Sequence, residues 1–494
     1  MKVFGVSVAI SPRHPNNTPV LHWSWGTMND TLGIALVGCG TVGGGVAHVL
    51  LAHADRVAQR AGRPLVLRRV VVRDPSKPRD PLIPRDIIST DLAAAIHDPN
   101  IHVVVELIGG TTTAKKVVLD ALAAGKHVVT ANKALLADAG SEVFEAARKA
   151  ERTVCFEAAV AGGVPVIRAL AESLAANQVT AIQAILNGTS NFILTAMAER
   201  GLSYANALAE AQKLGYAEAD PTLDVDGSDA AHKLAILAQI SFGVAARPHE
   251  IARQGIDTID AMDIRFADEL GYTIKLLAEA WTSSGTGNGE RGMRASVLDT
   301  SLSASGIHPA PPGLSTTEKA VALHVAPVLL RHTDLLAQVR GAYNAVLVYG
   351  DVVGETLYQG PGAGQMPTAS SVVADLIDLG VGRAQRTFAA AKLWSREGRG
   401  FTVEPPERVR SRFYLRLLVA DKPGVLADIT RILADEEISI SSLVQHEAAE
   451  ESGGPVPLVI VTHYAATGRF RKSLERINKL ASIAAPAVFF SMGD

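Results

Sequence analysis

From Leu32 to Val37 the chain reads Leu-Gly-Ile-Ala-Leu-Val, an unbroken apolar run suited to a strand buried on both faces. The turn Gly38-Cys39-Gly40-Thr41-Val42-Gly43 follows, and from Val46 to Gln59 apolar positions recur with helical spacing. Apolar runs at Leu65 to Val72, Ile101 to Ile108, His127 to Thr130 and Thr153 to Ala159 predict further strands, with a helix over about Ala114 to Ala124. Strands alternating with helices imply a parallel sheet. Past Pro165 the pattern predicts a helix, a strand at Ile182 to Leu186, and an apolar helix running through Leu234 to Leu237. Thr402 to Ser411 is polar and proline-bearing, a joint of the kind that separates domains. After it, Phe413 to Val419 alternates as a strand and Asp421 to Leu426 turns into a helix ending near Asp435. Strands at Ile438 to Gln445 and Pro457 to Thr462 and a helix at Arg469 to Lys479 complete a βαββα unit.

The expected fold class is therefore α/β with several domains, as a chain of 494 residues requires once single cores stop growing near roughly 250 to 300. A dinucleotide-type domain is expected over 31–155, a second, α+β domain over 156–400, a linker over 401–410, and a small α+β domain over 411–494. Residues 1–30, rich in Pro, Asn and Trp without periodicity, are expected to form a flexible extension.

At 48% hydrophobic, 20% charged and a net charge of −3, the composition excludes a disordered chain and gives no reason to expect nucleic acid or a membrane surface as partner. Small molecules and copies of itself remain. No stretch of about 18 uncharged apolar residues exists to span a bilayer. Lys2 and the apolar run Val3 to Ile10 faintly resemble an export signal, but the following Ser-Pro-Arg-His-Pro has no small-residue cleavage pattern. Two cysteines, Cys39 and Cys155, make no disulfide framework, and a reducing, cytoplasmic setting is expected.

Between a strand and a helix, the G-x-G-x-x-G of Gly38, Gly40 and Gly43 has a defined physical role. The first glycine permits the tight turn, the second lets backbone approach a pyrophosphate, and the third lets helix and strand pack closely. Thr41 and Val42 lie at the helix start, whose free N–H groups attract an anion. The second strand ends in Arg73-Asp74, with Lys77 and Arg79 close by. Cations there suit a 2′-phosphate and favour NADP(H) over NAD(H); the alternative is a solvated basic loop. Later strands end in Gly109-Gly110-Thr111-Thr112-Thr113 and Thr130-Ala131-Asn132-Lys133, at the edge where open parallel sheets bind ligands.

The polar cluster Asn187-Gly188-Thr189-Ser190-Asn191 sits between strand and helix, where either a pocket floor or a capped helix start fits. The stretch from Ala211 to Lys233 holds five carboxylates (Glu218, Asp220, Asp224, Asp226, Asp229) and Lys233 near a helix start. An EF-hand register fails there, because it places Lys233 where a bidentate Glu is required. No zinc-ligand spacing appears. Asp229 and Lys233, four apart, share a helix face. Exposed, such a pair is worth little; in a closed pocket, a lysine held by carboxylates can donate a proton to a carbonyl oxygen and take it back.

The segment Gly215 to Lys233 resembles the homoserine dehydrogenase signature, and Gly38 to Gly43, Thr130 to Lys133, Asn187 to Asn191 and Gly360 to Gly364 with Pro367 to Ser370 resemble further blocks of that family in the same order. The resemblance covers most of residues 31–395 and implies a Rossmann-type domain and, over 156–400, a substrate and dimerisation domain whose last segment returns to the first. It further implies reversible reduction of L-aspartate 4-semialdehyde to L-homoserine with NADPH or NADH. By it Lys233 is the proton donor, and Lys133 contacts cofactor and substrate. Glu218, Asp224, Asp229, Asn187, Gly188 and Thr189 form the substrate pocket; Gly110, Thr111, Gly362 and Gly364 join the cofactor site. Glu157, Val160, Gly162 and Val164 match positions that hold a structural sodium ion in the family. The C-terminal unit resembles an ACT domain, whose turn, here Asp421, Gly424, Val425 and Leu426, commonly helps bind an amino acid, with threonine the expected effector and a homodimer or homotetramer the expected assembly. The competing readings are another Rossmann-type amino-acid or sugar dehydrogenase and a nicotinamide- and amino-acid-binding sensor without catalysis. The Lys233 cluster argues against the sensor, which needs no proton donor.

Overall fold

The structure, a computed structural model, describes residues 31–282, 319–394, 401–445 and 454–493. The expected extension over 1–30 lies outside them.

Strands β1 (Leu32–Val37), β2 (Leu65–Val71), β3 (Ile88–Ser89), β4 (Val103–Glu106), β5 (His127–Thr130) and β6 (Val154–Cys155) form a parallel sheet ordered β3-β2-β1-β4-β5-β6. Every residue of β1 is buried, as its uninterrupted apolar run requires. Strand order reverses between β1 and β4, opening a crevice at their carboxyl ends. Helices α1 (Thr41–Ala52), α2 (Thr112–Ala123) and α3 (Lys133–Lys149) begin at that edge. The strand expected over Thr153 to Ala159 stops at Cys155. The chain there turns into a short 3-10 segment because Glu157 is tied down three ways: its N–H donates to Asp375, and its carboxylate accepts the N–H groups of Ile167 and Arg168.

A second, mixed sheet begins with β7 (Val179–Ile185), followed by α4 (Gly188–Arg200) and α5 (Ser228–Phe242). The short β8 (Ala252–Arg253) and α6 (Ala261–Glu269) lead to β9 (Tyr272–Thr282), β10 (Lys319–Arg331), β11 (Tyr343–Gly350) and β12 (Gly354–Pro361). Then α7 (Gln365–Val381) returns to the first sheet, where Ala369, Val372 and Leu376 share a core with Val46, Ala47 and Leu50 of α1. The packing is close: a Cβ at Gly45 would stand 2.9 Å from the Gln365 side chain.

The remaining chain carries β13 (Phe401–Val403), β14 (Arg410–Val419), α8 (Val425–Asp435), β15 (Ile440–Gln445), β16 (Val456–Thr462), β17 (Ala465–Ala466), α9 (Thr467–Ile477) and β18 (Ile483–Met492). Two expectations are corrected here. The βαββα unit gains the two-residue β17 and a long last strand, β18, hidden in the sequence by Pro486. At that residue β18 has no neighbour on the β10 side, since the two strands pair only at Ser491 and Met492, so the missing N–H is tolerated. Nor is Thr402 to Ser411 a free joint: β13 pairs with β10, and β18 bridges β10 to β14. One sheet therefore runs β12-β11-β7-β9-β10-β18-β14-β16-β15. Beneath it, buried Asp263 of α6 accepts two hydrogen bonds from Arg416, at 2.5 and 3.0 Å, and one from the Tyr414 hydroxyl at 3.2 Å. Among the described residues, no helix is long and apolar enough to cross a membrane.

Candidate active site

The glycine-rich turn has the geometry its sequence implies. Gly38 has φ +96°, and a Cβ there would press on the Leu107 carbonyl at 2.7 Å. A Cβ at Gly43 would stand 2.1 Å from the Gly38 oxygen, whereas Gly40, at the N-terminus of α1, faces open space. Thr41 and Val42 open the helix beside it. Arg73 and Lys77 are exposed beyond β2. Arg79 is engaged differently from them, donating to the carbonyls of Asp74 and Lys77 at 2.6 and 2.8 Å and so fastening the loop. The Asp74 carboxylate is taken up by the N–H and hydroxyl of Ser76.

Glu106, at the end of β4, was not singled out in the sequence. Its carboxylate is fully buried, accepting the N–H groups of Ile108 and Gly109 on one oxygen and the Thr130 hydroxyl, at 2.7 Å, on the other. Thr130 Oγ1 in turn accepts the Asn132 N–H. The Asn132 side chain donates to the Gly110 carbonyl at 2.7 Å and caps α3 through Leu135 N–H. One carboxylate thus shapes both cofactor-edge loops, including Gly110 with φ +71° and Thr111 ahead of α2. Its signal was an acid closing the otherwise apolar run Val103-Val104-Val105.

On the other side of the crevice, α5 begins at Gly227, φ +83°, and carries Asp229 and Lys233 one turn apart. Lys233 Nζ donates to Asp229 Oδ2 at 2.7 Å and to the Leu186 carbonyl at 2.6 Å. Asp229 Oδ1 lies 2.9 Å from Lys133 Nζ, which reaches across from the start of α3. Asn187 caps α4 with its oxygen and donates through Nδ2 to Asp224 at 2.8 Å and Asp229 at 3.0 Å. Burial pulls Lys233 below the usual lysine range; the Asp229 charge opposes this and the Lys133 charge adds to it. Burial also works against ionising Asp229, but the two ammonium groups and their hydrogen bonds outweigh it and hold the carboxyl below its ordinary range. Asp224 moves upward, through burial first and then the Asp229 charge, against the Asn187 hydrogen bond.

The structure thus brings Lys133, Lys233, Asp224, Asp229 and Asn187 together, with Gly188 at the head of α4 and Thr189 donating to the Tyr216 carbonyl at 2.6 Å. The expected convergence of five carboxylates is corrected. Asp220 and Asp226 are spent on their own turns, with Thr222 and Ser228, and Glu218 is exposed without a side-chain partner among the described residues. Asn344, another residue that sequence reasoning passed over, is 1% exposed and sits against Gly188 and Gly362. Its Nδ2 has no partner among the described residues. Gly362 lies on the 160–164 loop, where a Cβ at Gly162 would meet its carbonyl at 2.4 Å, and Gly364 starts α7. The Asp421 to Leu426 turn is remote from all of these: it lies at the far end of β14, with Gly424 at φ +94° and Leu426 41% exposed.

Residues 38–157 match the family model described as homoserine dehydrogenase, NAD binding domain; residues 165–377 match homoserine dehydrogenase, and 413–480 match the ACT domain. The chain is 42% identical to a homoserine dehydrogenase of Pseudomonas aeruginosa, over 92% of this chain and 97% of that protein. It is 39% identical to one from Neisseria gonorrhoeae, over 93% and 98%. The crystal structure of a homoserine dehydrogenase from Thiobacillus denitrificans aligns with a TM-score of 0.77 at 40% identity, covering 94% of this chain and 98% of that one. A hyperthermophilic archaeal homoserine dehydrogenase in complex with NADPH aligns with a TM-score of 0.53 at 26% identity, covering 70% and 97%.

Proposed function

The chain belongs to the homoserine dehydrogenase family, and on that premise we propose that it interconverts L-aspartate 4-semialdehyde and L-homoserine with Lys233 as the proton donor and NADP(H) as the preferred cofactor. The observation that carries the reading is the sharing of one carboxylate, Asp229, between Lys233 and Lys133. When bound, the reduced nicotinamide supplies the hydride to the aldehyde carbon. Lys233 donates its proton to the oxygen as negative charge develops there, and recovers it in the oxidative direction. Asp229 keeps the ammonium charged and aimed, and the Leu186 carbonyl fixes its second hydrogen bond. Lys133 brings a second cation from the dinucleotide side to the same substrate oxygen. Asp224 offers counter-charge to the substrate ammonium, while Asn187, Gly188 and Thr189 line its path.

Gly38, Gly40, Thr41, Val42, Gly43, Gly110, Thr111, Gly362 and Gly364 would hold the cofactor. The open face at Gly40 fits close approach of a pyrophosphate. Exposed Arg73 and Lys77 suit the 2′-phosphate of NADP, and Asp74, already committed to Ser76, is poorly placed to hold ribose hydroxyls. The archaeal relative bound to NADPH supports the same choice. The loop of Glu157, Val160, Gly162 and Val164 suits a sodium ion held by main-chain oxygens. Ala161 and Gly162 fold it tightly at φ +54° and +46°. Both Glu157 carboxylate oxygens already accept N–H groups, so the loop lacks the free carboxylates a divalent cation would favour. At the C-terminal unit, Asp421, Gly424, Val425 and Leu426 would contact an amino-acid effector, threonine, in a homodimer or homotetramer.

Following NADPH and NADH oxidation with aspartate semialdehyde, with and without threonine, tests the reading. Turnover with the semialdehyde, faster with NADPH and slowed by threonine, is expected; no turnover on the semialdehyde with either cofactor would overturn the assigned reaction.

A further inference from the structure

Between the catalytic body and the C-terminal unit lies a cavity of about 70 Å³, partly open to solvent. Arg253 of β8, Gln254 and Val325 of β10 form one wall; Val409, Phe413 of β14 and Arg471 of α9 form the other. Arg253 and Arg471 are exposed, and neither has an ion pair or side-chain hydrogen bond among the described residues. No carboxylate lines the space. Two arginines without a counter-charge lining one cavity favour an anion there, and the guanidinium fork matches a carboxylate in shape as well as charge. The apolar lining favours a ligand with a short hydrocarbon body over a bare inorganic ion. An ammonium group would find no counter-charge there.

We propose that this cavity binds a small aliphatic carboxylate without an ammonium group, held by Arg253 and Arg471, and that its occupancy adjusts the substrate-binding loop. The coupling is one residue layer thick. Behind the cavity wall, Gln254 N–H donates to the Val325 carbonyl at 2.8 Å and Ile256 N–H to the Val225 carbonyl at 2.9 Å. A Cβ at Gly227, the first turn of α5, would lie 3.1 Å from Val325 and 3.9 Å from Arg253 Cβ. Val225 and Gly227 both lie between Asp224 and Asp229 in the chain, so a movement of Arg253 onto a ligand is felt where those carboxylates are set. Gln254 also reaches forward, donating to the Phe489 carbonyl at 3.1 Å across the boundary. The cavity is separate from the effector turn at Asp421 to Leu426: Phe413, which lines it, stands six residues before Val419 on β14, roughly 20 Å at the rise of an extended strand.

Calorimetric titration of the full-length protein tests the assignment, with 2-oxobutanoate, butanoate, L-threonine and inorganic phosphate as probes. Saturable binding of 2-oxobutanoate and of butanoate is expected, weakened at least about tenfold in each of Arg253→Gln and Arg471→Gln, as loss of a charge-assisted contact implies. Both variants should melt like the parent, since both side chains are exposed, and Leu426→Ala should bind the oxo acid unchanged. The oxo acid should also shift the KM for homoserine, and homoserine should alter the oxo acid's affinity by the same factor when both are measured as binding. No saturable binding, undiminished binding in both arginine variants, or loss in Leu426→Ala overturns the site. Phosphate or threonine binding there as tightly as 2-oxobutanoate overturns the ligand class, and an unchanged KM overturns the coupling. Because binding is read directly, this result is independent of the reaction assigned to Lys233.

Discussion

Glu106 accepts the Thr130 hydroxyl at 2.7 Å while fully buried at the carboxyl end of the central parallel strands. The bond fixes Thr130 as acceptor for Asn132 N–H, and Asn132 in turn holds Gly110 and the start of α3, from which Lys133 extends. Glu106→Gln keeps the shape but exchanges an acceptor for an NH2 donor against groups that are themselves donors. We expect the KM for the nicotinamide cofactor to rise about tenfold or more, as unsatisfied buried donors distort both loops, with a stability loss of about 1–3 kcal/mol. Steady-state kinetics with varied cofactor and a thermal melt check this; an unchanged KM would reduce Glu106 to a packing residue.

Lys233→Met preserves length and removes the donor. The rate should fall by about two to four orders of magnitude with cofactor affinity retained. Binding of NADPH followed by fluorescence, beside single-turnover kinetics, separates the two effects. Near-normal turnover would exclude Lys233 as the acid.

The same lysine sets a pH profile of known sign. Burial pulls it below its ordinary range, against the Asp229 charge. Aldehyde reduction needs the ammonium, so its rate should hold at lower pH and fall as pH rises through the lowered value. Homoserine oxidation needs the neutral amine and should rise across the same window. In Asp229→Asn, where the opposing charge is gone, both limbs should move further toward acid.

Arg73→Asp should shift preference toward NADH, because a cation suited to the 2′-phosphate is replaced by a group that repels it. Arg79 is not equivalent: its guanidinium fastens the loop through the Asp74 and Lys77 carbonyls, so its loss should weaken use of both cofactors. The ratio of kcat/KM for NADPH and NADH in each variant distinguishes a phosphate contact from loop decoration.

Much of this was legible in the sequence because its signals are local. Apolar runs separated by helical spacing give the parallel sheet, the glycine turn declares its own geometry, and the spacing of Asp229 and Lys233 places them on one helix face. What stayed hidden depends on partners far along the chain. Lys133 meets Asp229 only after two domains fold against each other, and Asp263 finds Arg416 across 153 positions. Composition overstated the acidic cluster, because a count of carboxylates cannot distinguish Asp226, which bonds its neighbour Ser228, from Asp229, which faces two lysines. Pro486 disguised β18, as proline is a warning against a strand only where both flanks are paired.

The continuity created by β18 bears on whether the C-terminal unit can be removed. Read from Thr402 to Ser411 alone, truncation after Arg410 would leave an intact dehydrogenase lacking its response to threonine. The structure leads to the opposite expectation. Tyr414, Val459, Val461, Phe490 and Met492 belong to the same core as the buried face of α5, and β18 pairs with the end of β10. Truncation would also leave Asp263 beneath the sheet without Arg416 or Tyr414, and breaking a buried ion pair typically costs about 3–5 kcal/mol, a large share of the roughly 5–15 kcal/mol net stability of a domain. The chain ending at Arg410 should therefore be insoluble or melt well below the intact protein. In the intact chain, Arg416→Met alone should destabilise strongly, while Asp263→Leu combined with Arg416→Met should recover most of the loss, because the unpaired charge is then gone. Thermal melts of the parent, both variants and the truncated chain decide the matter. A soluble truncated chain that melts and turns over like the parent would mean that the C-terminal unit merely docks on a self-sufficient catalytic body.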